Sequence, residues 1–167
     1  MKETVTPDAN VLTGYMAAFK NHLRLTGDEM DADLRQILLA AFRSAEHTIG
    51  RVIPVSSVVV AGSFSCSDLF VRRLRGPVIA LDSVTVDGID VTSGCVLKEN
   101  TITVMGTYND AELEIRYTAG WPDIPADLLN AVFLIGSSLF ANPLDSVETL
   151  PKASSILLRP YRHWGEE

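Results

Sequence analysis

Cysteine is scarce in this chain. The two present in 167 residues, Cys66 and Cys95, share no CxxC spacing and have no histidine near them in sequence, so the pattern supplies no zinc ligand set. Free, half-buried thiols in a reducing compartment are the plain expectation. Phosphate-cradling glycine loops are missing as well. Neither GxxxxGK[ST] nor GxGxxG occurs, which speaks against nucleotide hydrolysis. The serine-containing stretches "AGSFSCS" and "IGSSLF" lack the GxSxG of a nucleophile elbow. In "DEMDADLRQILL" the sixth position is Asp33, where an EF-hand turn needs glycine. The twelfth is Leu39, where calcium needs a bidentate glutamate.

Positive charge is also short. Fourteen Lys and Arg against twenty-one Asp and Glu leave a formal charge of -7, and an acidic average surface opposes binding to a nucleic-acid backbone. The longest uncharged run, residues 128–144, is interrupted by Asn130, Gly136, Ser137, Ser138, Asn142 and Pro143. It falls short of the ~20 mostly apolar residues of a spanning helix. "MKETVTPDANVL" has no apolar segment behind its lysine, so no secretory signal is expected. His22, His47 and His163 are far apart and lack carboxylate or cysteine partners at metal-binding spacing. They read as surface or helix-end residues. No catalytic residue, metal site or cofactor is expected.

What is there suits a folded domain. The composition is 47% apolar and 21% charged, far from that of disordered chains, and a chain of this length buries roughly 70% of its unfolded surface. "LTGYMAAFKNHLRL" offers Thr13 as a helix cap and places Tyr15, Met16, Phe19 and Leu23 on one face. "TGDEMDAD" then supplies a glycine turn and four carboxylates, Asp28, Glu29, Asp31 and Asp33, suited to the positive end of a helix dipole. Leu34, Ile37, Leu38, Ala41, Phe42, Ala45 and Ile49 follow at helical spacing, and Gly50 fits the stop.

Between residues 52 and 118 the texture turns β-branched and aromatic. Asp87-Gly88, Glu99-Asn100 and Asn109-Asp110 read as turns of an antiparallel meander or small barrel. Leu113, Ile115 and Tyr117 alternate with Glu112, Glu114 and Arg116, which predicts a strand with one wet face. A third helix is expected over about residues 125–141, opened by Pro125 and closed by Pro143. It is apolar almost all round, which suggests cover from a second subunit. "LPKASSILLRPYRHW" reads as a short fourth helix that Pro160 ends or kinks.

The expected fold class is therefore α+β: a mainly helical core of two N-terminal and two C-terminal helices, with an inserted antiparallel β-rich segment. The chain reads as a single domain, helical over 12–50, β-rich over 52–118 and helical over 125–162. Two basic spots remain. "VRRLRG", with Arg72, Arg73 and Arg75, is either a solvated strand edge or a contact with an acidic neighbour or nucleic-acid backbone. "RPYRHW" is either a helix end folded on the core or a handle for another protein, since arginine, tyrosine and tryptophan dominate interface hot spots.

The joint order of these segments resembles the head-tail connector (adaptor) proteins of tailed bacteriophages, a family described also as possible DNA-packaging or head-completion proteins. "FKNHLRLTGDEMDADLRQILLAAFRSAEHTIGRVI" is similar to the family's opening helix pair, and "LRGPVIALDSVTVDG" to its arginine-proline strand entry. "IRYTAGWPDIPADLLNAVFLIGSSLFANP" resembles its strand, Thr-Ala-Gly turn and long helix, and "LPKASSILLRPYRHW" its closing helix. The chain departs from the family at Trp121 and around Ser137-Ser138. The resemblance implies a structural, non-enzymatic virion protein, made in the host cytoplasm and placed in the neck. It would form a ring, commonly twelvefold, beneath the portal protein. Its other side would meet head-closure or tail proteins, with no membrane contact, and DNA would pass non-specifically through the channel. Phe133, Phe140, Arg159, Tyr161, Arg162 and Trp164, with Arg72, Arg73 and Arg75, are the expected contacts to neighbours. Other neck components, such as a head-closure or tail-terminator subunit, share that logic; a small ligand-binding domain or enzyme is the reading from a different class.

Overall fold

The computed structural model describes residues 1–142 and 150–162. In chain order the elements are β1 (Lys2–Pro7), α1 (Ala9–Leu23), α2 (Asp31–Ile49), β2 (Ser56–Cys66), β3 (Leu69–Arg73), β4 (Val78–Val86), β5 (Ile89–Asp90), β6 (Cys95–Lys98), β7 (Thr101–Met105), β8 (Tyr108–Ala119), α3 (Ala126–Ala141) and α4 (Lys152–Leu158). They sort into two compact units. A β unit combines Met1–Pro7 with Val55–Gly120, and a helical unit combines Asp8–Pro54 with the chain from Trp121 onward.

This overturns the expectation of a mainly helical core with two helices at each end. Among the described residues, strands take up nearly as much chain as helices. The opening stretch, to which the sequence assigns no element, is strand β1, paired antiparallel along β2 from Lys2↔Ala61 to Pro7↔Ser56. "KETVTP" was illegible because its side chains alternate between partial and full exposure. It carries no apolar stripe, and its pairing comes from the backbone edge of β2.

In the β unit a five-stranded antiparallel sheet runs in the order β1-β2-β8-β4-β5, and a three-stranded sheet in the order β3-β7-β6. Strand β8 is the spine, paired with β2 on one side and β4 on the other. Ala111, Leu113, Ile115, Tyr117 and Ala119 are buried, whereas Glu112 and Arg116 are exposed. The expected wet face is there. Asp87 and Gly88 both take positive φ, 50° and 78°, as a tight hairpin between β4 and β5 requires. Glu99-Asn100 turns between β6 and β7. Asn109-Asp110 makes no turn. Two residues of β8 there oppose the single Ser65 of β2, a bulge that absorbs the positive φ of Asp110.

The helical unit has its own apolar core, in which Phe19, Leu34, Leu38, Phe42, Ile49, Ile53, Leu128, Val132 and Leu158 are sealed from solvent. Each such side chain contributes ~1.5–3 kcal/mol through burial. Helix α1 begins four residues ahead of Thr13, which therefore lies inside the helix and not at its cap. Helix α2 buries the expected stripe and stops at Gly50, which donates its N–H to the Glu46 carbonyl and then turns the chain out of the helix with a left-handed φ of 69°. Pro125 is extended, with ψ 139°, so α3 starts one residue later than expected. Its all-round apolar surface finds cover within its own unit: Leu128, Ala131, Val132, Phe133 and Ile135 are buried, and Leu129, Leu139 and Phe140 pack partly against the same core.

Candidate interaction surfaces

The arginine stretch that ends β3 and runs past it divides by strand alternation. Arg73 points outward and is exposed, whereas Arg72 and Arg75 are half-buried. The Arg75 guanidinium lies 3.1 Å from Glu3 Oε1 on β1, and its backbone N–H donates to the Tyr117 hydroxyl at 3.2 Å. Burial, assisted by the Glu3 carboxylate, pushes the Tyr117 phenol up to about 12. Arg72 lies 3.1 Å from the Met1 sulfur through Nη1, and its buried Nε finds no hydrogen-bond partner among the described residues. Two of the three arginines thus face inward, where Glu3 ties β1 to the segment after β3. Sequence reasoning missed Glu3 because nothing local marks a partner 72 positions away.

The C-terminal spot is folded back as far as it is described. After α4 a 3-10 turn spans Arg159–Tyr161 and takes in Pro160. The Tyr161 hydroxyl donates to Asp127 Oδ1 at 2.6 Å, and its ring meets Trp121 edge-on at 6.1 Å. That hydrogen bond to a carboxylate, foremost, raises the phenol to about 12. Arg162 Nε donates to the Thr48 carbonyl at 3.2 Å. Arg159 is exposed. Within α4, Leu158 is buried, Leu157 packs partly and Ile156 is 64% exposed. His163 and Trp164 lie outside the described residues. Phe133 is a core residue against Phe19 and His22, with ring centroids 5.5 and 5.6 Å away, and Phe140 is half-covered beside the core.

Two further surfaces went unflagged. The turn before α2 exposes Met30 between carboxylates. Lys20 is 2.7 Å from both Asp28 and Asp31; the hydrogen bond from Lys20 holds Asp28 below the usual carboxylate range, and the two aspartates hold Lys20 above the usual amine range. The outward face of the three-stranded sheet exposes Leu69, Val71, Val96 and Met105, each by at least half. Period-2 alternation does mark those residues as facing out, but only the sheet pairing shows them to be neighbours. A cleft of about 180 Å³ in the helical unit, between Ala40, Ser44, Ile135, Ser138 and Leu139, is lined by small and apolar groups and carries no acid or base. Among the described residues, no group of three or more His, Cys, Asp or Glu is fit to hold a metal, and no helix is long and apolar enough to cross a membrane.

These residues make contacts within their units, brace strands and expose apolar surface; the geometry is that of an α+β chain with no metal-ligating cluster among the described residues. The comparisons with known proteins run the same way. No family model and no curated protein matches the sequence. Among solved structures the chain is similar to one in the neck of an empty gene transfer agent (GTA) particle computed with C6 symmetry, at TM-score 0.76 and 23% identity, over 97% of this chain and 95% of that one. Chains in the virion of the native particle and in its neck computed with C12 symmetry match equally in TM-score, at 22% and 21% identity. The chain shares the fold of these neck chains over nearly its whole length.

Proposed function

We propose that this chain is a structural subunit of a phage-type virion neck, acting as one connector domain over residues 1–167 in a ring beneath the portal, commonly twelvefold. The observation that carries the reading is the shared fold over 97% of the chain with chains from GTA particle necks, some computed with C6 and some with C12 symmetry. Repeated copies in a closed ring are the ordinary outcome of a heterologous contact whose rotation closes. The portal protein would lie on one side and head-closure or tail proteins on the other. DNA would pass through without being gripped, because a wall of net charge -7 per subunit has little affinity for phosphate.

Among the expected contact residues, Arg73 and Arg159 are exposed and free to meet neighbours, whereas Tyr161 and Arg162 would have to leave partners in their own unit. Electron microscopy of the purified protein mixed with its portal tests the assignment. Rings stacked on the portal are expected. Rings that form but attach only to a head-closure or tail component would transfer the chain to another neck position.

A further inference from the structure

The outward face of the three-stranded sheet has an ordered composition. Cross-strand pairing sets Leu69 opposite Met105 and places Val71 and Val96 on either side of Thr103. Arg73 and Lys98 flank Thr101 in the last row. The face is thus apolar at one end and carries two cations at the other, about 10 Å apart across the middle strand. No carboxylate lies in these rows, and neither cation forms an ion pair among the described residues. In a chain of net charge -7, two unpaired cations beside exposed apolar side chains make a concentrated exception.

The reciprocal pattern occurs at the entry to α2. Met30 is 42% exposed, and Glu29 and Asp33, both exposed and outside every ion pair described, stand one residue before it and three after. The Leu34 N–H to Met30 carbonyl bond, 2.9 Å, starts the helical winding at Met30, so Asp33, three residues on, lies on the same side as Met30, and Glu29 directly precedes Met30 in the turn. Asp28 and Asp31 are held by Lys20 and are left out of the contact.

We propose that the outer face of the β3-β7-β6 sheet receives the Met30 turn of a second copy of this chain. Met30 enters the apolar rows, while Glu29 and Asp33 meet Lys98 and Arg73. The two surfaces differ, so the contact is heterologous and propagates from copy to copy, as a ring requires. The inference rests on the ring reading above and supplies its contact. Charge complementarity singles out a second copy: the cationic row seeks carboxylates, and this chain presents a pair of them around an exposed apolar side chain.

Charge exchange tests it, read by light scattering and sedimentation at low salt. Arg73→Glu with Lys98→Glu, and separately Glu29→Lys with Asp33→Lys, should each weaken association at least about tenfold. The loss should shrink in ~0.5 M salt. Mixing the two variants, or joining all four changes in one chain, should restore assembly, because every altered cation row then meets an altered acidic turn. Val71→Ser with Val96→Ser should weaken assembly without salt dependence. All these side chains are exposed, so unchanged circular dichroism checks the fold. A wild-type chain that assembles while the double variants assemble equally well, or are not rescued by mixing, overturns this contact and leaves the ring reading standing. A wild-type chain that stays monomeric both alone at high concentration and on its portal overturns both.

Discussion

Glu46 is the most exacting residue of the helical unit. Its carboxylate is buried on α2, where Oε1 accepts the Ile53 N–H at 2.9 Å and Oε2 accepts from Arg43 at 3.0 Å. Glu46→Ala orphans a buried N–H donor and should lower stability by about 2–3 kcal/mol in urea titration, whereas Glu46→Gln keeps an acceptor and should cost less. Two tyrosines carry the pH response. Tyr117 and Tyr161 are both raised to about 12 in the folded chain, against about 10 when unfolded. Between those values the unfolded chain has lost protons that the folded chain retains, so stability should be complete below about pH 10 and fall as pH rises toward 12. Alkaline unfolding followed by phenolate absorbance checks the sign. Tyr117→Phe should remove the Tyr117 share of that slope and leave the share due to Tyr161.

At the scale of elements, α1 and α3 approach closely because Gly136 has no side chain. A Cβ there would lie 2.7 Å from the Phe19 ring, and neither the ring nor the helix backbone yields easily. Gly136→Ala should cost about 1–3 kcal/mol by overpacking despite the better helix propensity of alanine. Phe19→Leu in the same chain should recover part of the loss, so the pair should be non-additive in thermal melts. The segment after α4 is held by the Tyr161 clip on Asp127 and Trp121 and by the Arg162 hydrogen bond to the Thr48 carbonyl. Ending the chain at Leu158 should leave cooperative unfolding intact with a loss of ~1–2 kcal/mol, measured by urea titration. If the truncated chain unfolds outright, the segment is part of the core.

For the whole molecule, charge decides the behaviour toward DNA. With a net charge of -7, the protein should not retard duplex DNA in a gel at physiological salt. A stable complex there would require a cationic surface large enough to outweigh the acidic average. Lys20, Arg43, Arg75 and Arg116 stand in ion pairs with carboxylates. Arg73 and Lys98 are left for contacts on the face where apolar side chains are also exposed. Two units with separate cores, joined by chain crossings before Asp8, after Pro54 and after Gly120, give that face and the Met30 turn separate supports.

Periodicity alone determined much of this chain. The α2 stripe, the β8 alternation, the hairpin at Asp87-Gly88 and the stop at Gly50 were all legible, because local spacing and backbone conformation act over a few residues and need no distant partner. Expectations failed where pairing is long-range. β1 has no apolar pattern of its own and becomes a strand only because β2 offers it an edge. Asp110 carries turn chemistry but is absorbed as a bulge against Ser65. The arginines of "VRRLRG" looked alike in sequence; alternation along the strand, together with Glu3 and Tyr117, turned two inward and left Arg73 in solvent. Phe133, an expected contact residue, packs its ring against Phe19 and His22 from α1, which no local window around α3 contains. Tertiary structure decided these cases because burial, edge pairing and charge neighbourhood are properties of residues brought together from far apart in the chain, and no local window contains them.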